Sequence, residues 1–201
     1  TNSELTRFYG TTIEGVNGYL HLSRQLAREY LDQHDAPDYA MITMPYMPQF
    51  RMTRRILGVT ELDMDAVDQY REDSVGCVCC SYAYPAPVYE LPYGTLLSPA
   101  LDNVAAAGRI IAAGGAGWEM MRLIPACAFT GQVAGTAAAL ALDQGVRLQE
   151  IDLSVLRAQL ERTGVILHIP DYMKGNKNRR TIDNPKYLAD PLVKTDALSY
   201  H

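Results

Sequence analysis

Apolar residues recur with a helical spacing in two long segments of the chain. Residues 13–30 place apolar side chains three and four positions apart with polar residues between them, as in an amphipathic helix. Residues 122–142, RLIPACAFTGQVAGTAAALAL, are small or apolar almost throughout and carry no charge after Arg122. Pro125 lies near the start of this run, where a helix tolerates proline because the missing N–H would have no partner anyway. Both segments are therefore predicted to be helices.

The second predicted helix has a face that is almost bare of side chains. Small residues recur along it at helical spacing, at Cys127, Gly131, Gly135 and Ala138 or Ala139. Such a face lets a sheet, another helix or a ligand approach the backbone closely. A helix N-terminus that follows a glycine-rich loop also attracts anionic groups, because its first N–H groups are unpaired. Spacing alone supports a packed core helix and an anion-facing helix about equally.

A membrane span is a third interpretation of the same segment. Residues 123–142 contain no charge, and Gly131 and Gly135 have the spacing of helix pairs in lipid. However, the run consists mostly of alanine and glycine, whose transfer out of water gains little, and polar residues such as Thr130 and Gln132 interrupt it. We therefore interpret the segment as a buried helix and expect no membrane partner.

Shorter elements are predicted on both sides of this helix. Residues 74–82 form an apolar, strand-like run, and residues 103–108 indicate a short buried strand that ends at glycine. Residues 112–117, AAGGAG, predict a flexible loop. Asp152 or Ser154 can cap a further helix.

The composition limits the classes of function. A chain of 201 residues can bury a substantial core as one large domain or two small ones. The net charge of −5 argues against a nucleic-acid-binding protein, which needs a basic face to neutralise phosphates. The four cysteines are few and bunched, so we expect no disulfide framework and a reducing, cytoplasmic setting. The start at Thr1, without a secretory signal, leads us to expect a chain that begins partway through a longer protein.

Two glycine and cysteine clusters fail as binding motifs. The Gly-Ala-Gly at residues 115–117 is not a dinucleotide fingerprint, because its third position is Met120 and no suitable βαβ unit follows. The cluster of Cys77, Cys79 and Cys80 lacks the spacing of a zinc site. Buried small apolar side chains are the better interpretation, and no metal is expected.

A basic cluster is the remaining candidate for ligand binding. Arg51, Arg54 and Arg55 could bind an anionic substrate, although such residues more often face solvent or pair with carboxylates. The four histidines are scattered, so no catalytic triad can be argued from them. The catalytic residues are therefore unknown from the residues alone.

Several segments, taken in order, resemble the FAD-dependent oxidoreductases, a family of flavoproteins with a glutathione-reductase-like two-domain plan. These segments are residues 50–58 (FRMTRRILG), 91–97 (LPYGTLL), 102–109 (DNVAAAGR) and 122–138 (RLIPACAFTGQVAGTAA), with residues 152–160 similar to the family's trailing helix. The ordered set covers about residues 49–165.

The resemblance implies an α+β fold in which a mixed sheet is flanked by helices. Residues 1–101 would form part of the substrate domain and residues 102–169 the last strand and helices of the FAD-binding domain. Residues 170–201 would form an extended C-terminal tail. In the family, residues like 50–58 form an arginine-rich strand, and those like 103–109 form a strand of the FAD domain's sheet.

The resemblance also implies FAD as the cofactor and a set of site residues. The family's glycine-rich helix points its N-terminus at the flavin, which implies a flavin side made of Gly108, Arg109, Arg122, Pro125, Gly131 and Gln132. Arg51, Arg54 and Tyr93 are the substrate-side candidates. The implied reaction is hydride transfer between a small organic substrate and FAD.

The family's N-terminal fingerprint for the FAD diphosphate is missing from this sequence. The resemblance therefore implies the C-terminal part of the enzyme, inactive alone, with an N-terminal FAD-binding half as its partner and a homo-oligomer also compatible. A function of another class stays open. The chain could be a non-enzymatic assembly module that packs its bare helix face on a partner chain.

Overall fold

The structure, a computed structural model, describes residues 8–33, 41–44, 46–63, 66–79 and 87–171. Packing divides the chain into two units, Thr1–Arg54 and Arg55–His201. Helices and a small antiparallel sheet give an α+β fold, as expected. The domain boundaries expected at residues 101 and 169 stay a prediction.

The first unit is built around one long helix. Helix α1 spans Ile13–Gln33, which confirms the amphipathic helix predicted there. The Gly15 N–H donates to the Thr12 Oγ1 at 3.1 Å and so caps the first turn. The Tyr19 and Phe50 rings meet edge-on with their centroids 5.2 Å apart. No residue of α1 is buried, so this helix contributes no closed core.

The arginine-rich segment at residues 50–58 is not a strand, which corrects the expectation from the family resemblance. The Ile56 N–H donates to the Ile110 carbonyl at 2.9 Å, and the Val59 N–H donates to the Leu97 carbonyl at 3.0 Å. A ladder needs one neighbouring strand that receives successive bonds. Here each bond goes to a different part of the chain, so the segment stays irregular.

The sheet of the second unit has two described strands. Strand β1 (Ser74–Val78) pairs antiparallel with strand β2 (Tyr89–Pro92), and an irregularity in the register within β1 marks a bulge. The strand predicted from residue 74 is therefore confirmed as far as Val78. The expected mixed sheet is wrong for the described residues. Their parallel pairing is limited to an isolated bridge between Leu62 and Ala113.

The strand expected at residues 103–108 is also wrong. Residues 103–107 contain only an isolated bridge, between Ala105 and Leu97, and then enter a short 3₁₀ turn at Gly108–Ile110. Leu97 follows directly on another 3₁₀ turn, Tyr93–Leu96. The residues before Leu97 lie in that turn and are not extended, so on that side the bridge has no further strand residues to pair with.

The glycine-rich residues 112–117 form a packed junction rather than a flexible loop. Ala112 and Ala113 are fully buried, and helix α2 (Gly115–Met121) begins within the segment. The Leu62 N–H donates to the Ala112 carbonyl at 3.0 Å, and the Gly114 N–H donates to the Leu62 carbonyl at 2.8 Å. The small side chains therefore serve close backbone contact.

Helix α3 spans Ile124–Gln144, which confirms the long small-residue helix. Gly145 ends it with a φ of +66°, a left-handed conformation that glycine adopts readily. The core-facing side of α3 consists of Ala126, Thr130, Val133, Ala137 and Ala141. Gly131 and Gly135 are exposed, and a Cβ at either position would meet no atom within 4 Å. The bare face exists, but it is not the face that packs in this unit's core.

Helix α4 spans Leu153–Arg162 and confirms the predicted trailing helix. Asp152 caps it, because the Ser154 N–H donates to the Asp152 Oδ1 at 2.8 Å. Leu156 and Leu160 of α4 are fully buried in the same core as α3, β1 and β2. This core holds the candidate site in place.

Helix α3 is the one helix in the described ranges that is long and apolar enough to cross a membrane by length and composition. One such helix is weak evidence, because the core helix of a soluble protein passes the same test. One side of α3 packs within the core, in contact with α2 and α4. The structure buries 28% of the apolar window of α3, so the helix belongs to the core along one side only.

Candidate functional site

A tight turn lies against the first two turns of α3. The Gly108 N–H donates to the Thr130 Oγ1 at 2.8 Å, and that hydroxyl donates to the Ala126 carbonyl at 2.8 Å. Gly108 has a φ of +71°, which favours glycine. A Cβ at this position would lie 3.4 Å from the Cys127 Sγ. Glycine therefore keeps the turn both unstrained and in contact with the helix.

The same turn lies next to the start of α3, and together they form a positively charged surface that we call the Gly108 corner. Arg109 is exposed, and its guanidinium makes no hydrogen bond or ion pair with the described residues. The Trp118 Nε1–H donates to the Arg109 carbonyl at 2.7 Å, which fixes the backbone. Leu123, at the helix start, provides no side-chain cap, so the first N–H groups of α3 lack a side-chain acceptor. This corner suits a carbonyl oxygen or an anion.

Two other arginines near α2 are already paired. Arg122 makes two hydrogen bonds to the Glu119 carboxylate, and its side chain is 15% exposed. Arg55 lies 5.9 Å from the centre of the Trp118 ring and pairs with Glu61 at 2.6 Å. Both arginines contact residues of α2, and the charge of each is paired with a carboxylate.

A cleft of about 460 Å³ opens on another side of α3. It is walled by the end of β1, by Val88 before β2, by the first three turns of α3 and by residues 163–166 and Pro170 after α4. Its lining includes Cys77, Cys79, Pro125, Phe129, Gln132 and Ile166. None of the described residues that line the cleft is charged.

The cleft is shaped by a glycine in β1. A Cβ at Gly76 would collide with the Phe129 ring and lie 2.8 Å from the Val165 Cγ1. The Phe129 ring therefore packs on the strand in the space that a side chain would fill. The Cys77 N–H donates to the Ile166 carbonyl at 2.8 Å, which ties the strand to the opposite wall.

The Cys77 thiol is protonated at neutral pH. Burial, and to a smaller extent the negative charge of Glu90, raises its pKa to about 12. A thiol acts as a nucleophile only as the thiolate. Cys77 therefore contributes a neutral, weakly polar group to the cleft.

A buried carboxylate holds the chain after α4 against β2. Glu90 is 1% exposed and accepts hydrogen bonds from the Arg71 N–H at 2.7 Å, the Ile169 N–H at 2.8 Å and the His168 Nδ1 at 2.9 Å. The other ring nitrogen of His168 faces the Arg157 guanidinium at 2.6 Å. Because arginine can only donate, this geometry assigns the neutral imidazole with its proton on Nδ1.

These bonds decide the protonation state of Glu90. Burial alone would raise its pKa, but the hydrogen bonds from His168 and from the Arg71 and Ile169 N–H groups outweigh burial. The pKa of Glu90 therefore lies below its ordinary value, and the carboxylate is charged at neutral pH. The Tyr70 ring stacks on His168 with the centroids 4.7 Å apart.

The described residues contain no group of three His, Cys, Asp or Glu side chains that could hold a metal ion. Cys77 and Cys127 in these ranges are free thiols.

A comparison with known protein families matches residues 3–160 to the family described as FAD dependent oxidoreductase. The chain belongs to this FAD-dependent oxidoreductase family. FAD is therefore its cofactor and oxidation–reduction its type of chemistry. A comparison with curated proteins found no match, and a comparison with solved structures found none either.

In this FAD-dependent oxidoreductase, the expected flavin-side residues fall around the first two turns of α3. Gly108 and Arg109 form the turn that packs on one side of the helix. Pro125 and Gln132 line the cleft on another side, where the Gln132 Nε2 donates to the Thr163 Oγ1 at 2.9 Å. Arg122, paired with Glu119, lies at the junction of α2 and α3, and Gly131 is on the exposed face. Their contact with the flavin stays a prediction.

Two of the expected substrate-side residues belong to the first unit of this family member. Arg51 is exposed and donates to the Gln49 side chain. Arg54 is exposed and donates to the Thr11 carbonyl at 3.3 Å. Their role toward a substrate stays a prediction.

Tyr93, the third expected substrate-side residue, lies in the core of the second unit. It is 7% exposed, and its hydroxyl donates to the Leu148 carbonyl at 3.0 Å. Burial raises its pKa to about 12, so the phenol is neutral. These contacts give Tyr93 a packing role, and a substrate role stays a prediction.

Two residues that organise this oxidoreductase were not identified from the sequence. Thr130 anchors the Gly108 turn, but a threonine within a helix usually bonds its own preceding turn and gives no signal of another role. For Glu90, in contrast, the sequence does contain a signal. A carboxylate in the otherwise apolar run VYELP indicates a buried charge with several partners.

Proposed function

We propose that this chain supplies one wall of the flavin site in an enzyme that transfers a hydride between a small organic substrate and FAD. The observation that carries the proposal is the Gly108 turn, bonded to Thr130 beside the uncapped N-terminus of α3. A reduced flavin becomes negative near its N1 and C2 carbonyl. Unpaired N–H groups at a helix start stabilise such charge without a bulky side chain.

The donors at this corner fit the cofactor. The unpaired Arg109 guanidinium adds positive charge, and the open space around Gly131 permits close approach to the helix. Pro125 sets the helix start, and Gln132 is held by Thr163. Arg122 would act by fixing the α2–α3 junction, because its charge is paired with Glu119. Bound FAD supplies the hydride chemistry, and these residues would bind and orient it.

We further propose that a separate N-terminal half holds the FAD diphosphate. The 201-residue sequence contains no Gly-x-Gly-x-x-Gly segment, which is the usual diphosphate-binding element of such enzymes. The exposed face of α3, with Gly131 and Gly135 open, is the surface that such a half would cover. In this proposal the chain is the C-terminal portion of a two-domain enzyme and binds FAD weakly alone.

FAD titration with and without the complementary half tests the proposal. That half would be taken from the reading frame upstream of Thr1. We expect a yellow complex that survives gel filtration only when both halves are present. Flavin that elutes free from the mixture, or an upstream frame that encodes no dinucleotide-binding unit, would refute the proposal.

A matched pair of substitutions locates the contact on α3. Gly131→Leu adds a bulky side chain at the helix start, whereas Gln144→Leu adds the same side chain about 20 Å further along the axis. We expect only Gly131→Leu to prevent the yellow complex. Equal loss in both variants would indicate that this end of α3 has no special part in flavin binding.

The exposed small-residue face of α3 also supports a function of another class, a non-enzymatic assembly module. In that case the chain would associate with a partner chain when no flavin is present, and Gly131→Leu would abolish the association. Gel filtration without FAD separates the two proposals. Association that requires FAD would reject the assembly module.

Two assignments stay as further proposals. Free thiols at Cys77 and Cys127, among the described residues, support a reducing, cytoplasmic setting. The exposed cations Arg51 and Arg54 support an anionic group on the substrate side. A reconstituted enzyme with Arg54→Gln would then show a raised KM for its substrate, and an unchanged KM would remove Arg54 from that role.

A further inference from the structure

The cleft beside α3 has the dimensions of a small-molecule site. Its volume of about 460 Å³ lies within the range of ligand pockets, roughly 300–1,000 Å³. Strand β1, helix α3 and residues 163–170 enclose it from three sides. A ligand here would contact several elements at once, which a flat surface does not offer.

The walls of the cleft are held together by hydrogen bonds to the backbone of the residues after α4. The Cys77 N–H donates to the Ile166 carbonyl at 2.8 Å, and the Ser74 Oγ donates to the Leu167 carbonyl at 2.6 Å. Beyond them, the Ile169 N–H donates to the Glu90 carboxylate at 2.8 Å. The residues after α4 are therefore fixed on the sheet, and the cleft is formed before any ligand arrives.

The lining excludes charge. No cleft residue in the described part of the chain is charged, although 20% of the residues in the chain are. Phe129, Val165 and Ile166 supply apolar surface. A charged ligand would lose its hydration in this cleft and find no ionic partner. The lining is complementary to an uncharged, mostly apolar molecule.

A few polar groups can orient such a molecule. The Gln132 Nε2 is bonded to the Thr163 Oγ1 at 2.9 Å, and the Gln132 Oε1 makes no hydrogen bond with the described residues. The Cys77 thiol is protonated and adds a weak donor. One or two directional contacts within an apolar lining are typical of small-molecule sites.

We infer that this cleft binds a small, uncharged, mostly apolar molecule. The cleft adjoins the proposed flavin wall, because Pro125, Phe129 and Gln132 lie in the first three turns of α3.

Binding of two matched fluorescent probes to the full 201-residue chain tests the inference. Phenylnaphthylamine is uncharged, and anilinonaphthalene sulfonate has the same ring system with a sulfonate added. We expect saturable binding of the uncharged probe at one site, at least ~10-fold tighter than binding of the sulfonate. Equal affinities, or no saturable binding, would overturn the inference.

Substitutions at Ile166 locate the site. This cleft residue is 53% exposed, so Ile166→Asp and Ile166→Lys should leave the core intact, and both should weaken the uncharged probe by about 10-fold or more. Leu101→Asp is the control, because Leu101 is 57% exposed and outside the cleft. An equal loss in the control, or unchanged binding in both Ile166 variants, would overturn the inference.

Alkylation of Cys79 gives a second measurement that needs no variant. Cys79 is exposed on the cleft wall, so the bound uncharged probe should slow its reaction with N-ethylmaleimide. An unchanged rate would count against the site. Neither assay contains FAD, so a failure of the probe to bind would remove the apolar site even if the two halves form a yellow complex. If the probe binds but the two halves form no yellow complex, the proposed flavin wall is wrong and the apolar site remains.

Discussion

A single buried carboxylate, Glu90, joins three parts of the second unit. It accepts hydrogen bonds from Arg71 before β1 and from His168 and Ile169 after α4. Glu90→Gln keeps the shape but replaces one acceptor oxygen with an NH₂ group that faces donors. We expect this variant to lose about 2–3 kcal/mol of unfolding free energy, measured by urea denaturation.

The control for this prediction is Glu161→Gln, an exposed glutamate on α4. Surface substitutions of this kind change stability by about 0.5 kcal/mol or less. A similar loss in both variants would mean that burial and hydrogen bonding of Glu90 do not decide the effect.

The lowered pKa of Glu90 also gives its contribution a definite pH dependence. Its pKa in the folded chain lies below the ordinary value of 4.5, so the unfolded chain takes up this proton first as the pH falls. The stabilisation is complete above pH 4.5 and is lost as the pH falls through the folded pKa. The difference in unfolding free energy between the native chain and Glu90→Gln should therefore shrink below about pH 4.5, measured by urea denaturation at several pH values. His168 and Arg157 are present in both proteins, so they are common to both sides of the comparison. A difference that stays constant would contradict this assignment.

Single residues also show what the sequence can and cannot predict. Gly108 was identified from the segment DNVAAAGR, and its φ of +71° and contact with Cys127 explain why glycine is needed. The substrate role of Tyr93 stays a prediction, whereas the hydrogen bond from its hydroxyl to the Leu148 carbonyl in the core was not predicted. That bond joins residues far apart in the chain, and no local pattern reveals it.

At the scale of elements, β1 depends on a residue without a side chain. Gly76 lies in the bulged strand with a φ of +154°, and a Cβ there would collide with the Phe129 ring of α3. Gly76→Ala must therefore strain the strand or displace the ring. We expect a loss of about 1–3 kcal/mol in unfolding free energy, measured by urea denaturation, and less room for a ligand in the cleft.

Helix α3 should respond to the same substitution with the opposite sign. Gly135 lies within the helix, and a Cβ there would meet no atom within 4 Å. Alanine lowers the entropy of the unfolded chain without a clash, so Gly135→Ala should raise the unfolding free energy by about 0.5–1 kcal/mol. Thermal denaturation of the chain alone checks this. A loss of stability would mean that another part of the chain covers this face.

The helices were predictable from the sequence because their signals are local. The spacing of apolar residues and Pro125 were enough for α1 and α3, and Asp152 marked the start of α4. The strands expected at residues 50–58 and 103–108 were wrong because a strand needs a partner from elsewhere in the chain. Ala105 finds one residue to bridge, and no ladder follows.

At the scale of the whole molecule, the α+β class and the FAD family followed from ordered sequence segments, whereas the walls of the site did not. The cleft combines β1, α3 and residues 163–170, which are separated by long stretches of chain. Its uncharged lining results from which residues the fold leaves facing inward. Only the packed second unit, with Phe129 against Gly76, brings those residues together.

The two units should differ strongly in local stability. No residue of α1 in the first unit is buried, whereas α3 in the second unit buries five residues along one face. Amide hydrogens exchange through local opening, and the free energy of opening rises with the apolar contacts that must be broken. Amides in the middle of α3 should exchange at least ~100-fold more slowly than those of α1, about 2.7 kcal/mol in opening free energy. Hydrogen exchange of the full chain, followed by mass spectrometry of peptides from both helices, measures the ratio.

Equal protection of the two helices would mean that α1 is covered by another part of the chain or by a second copy. Dilution of the protein would then separate those two cases, because only contact with a second copy weakens on dilution.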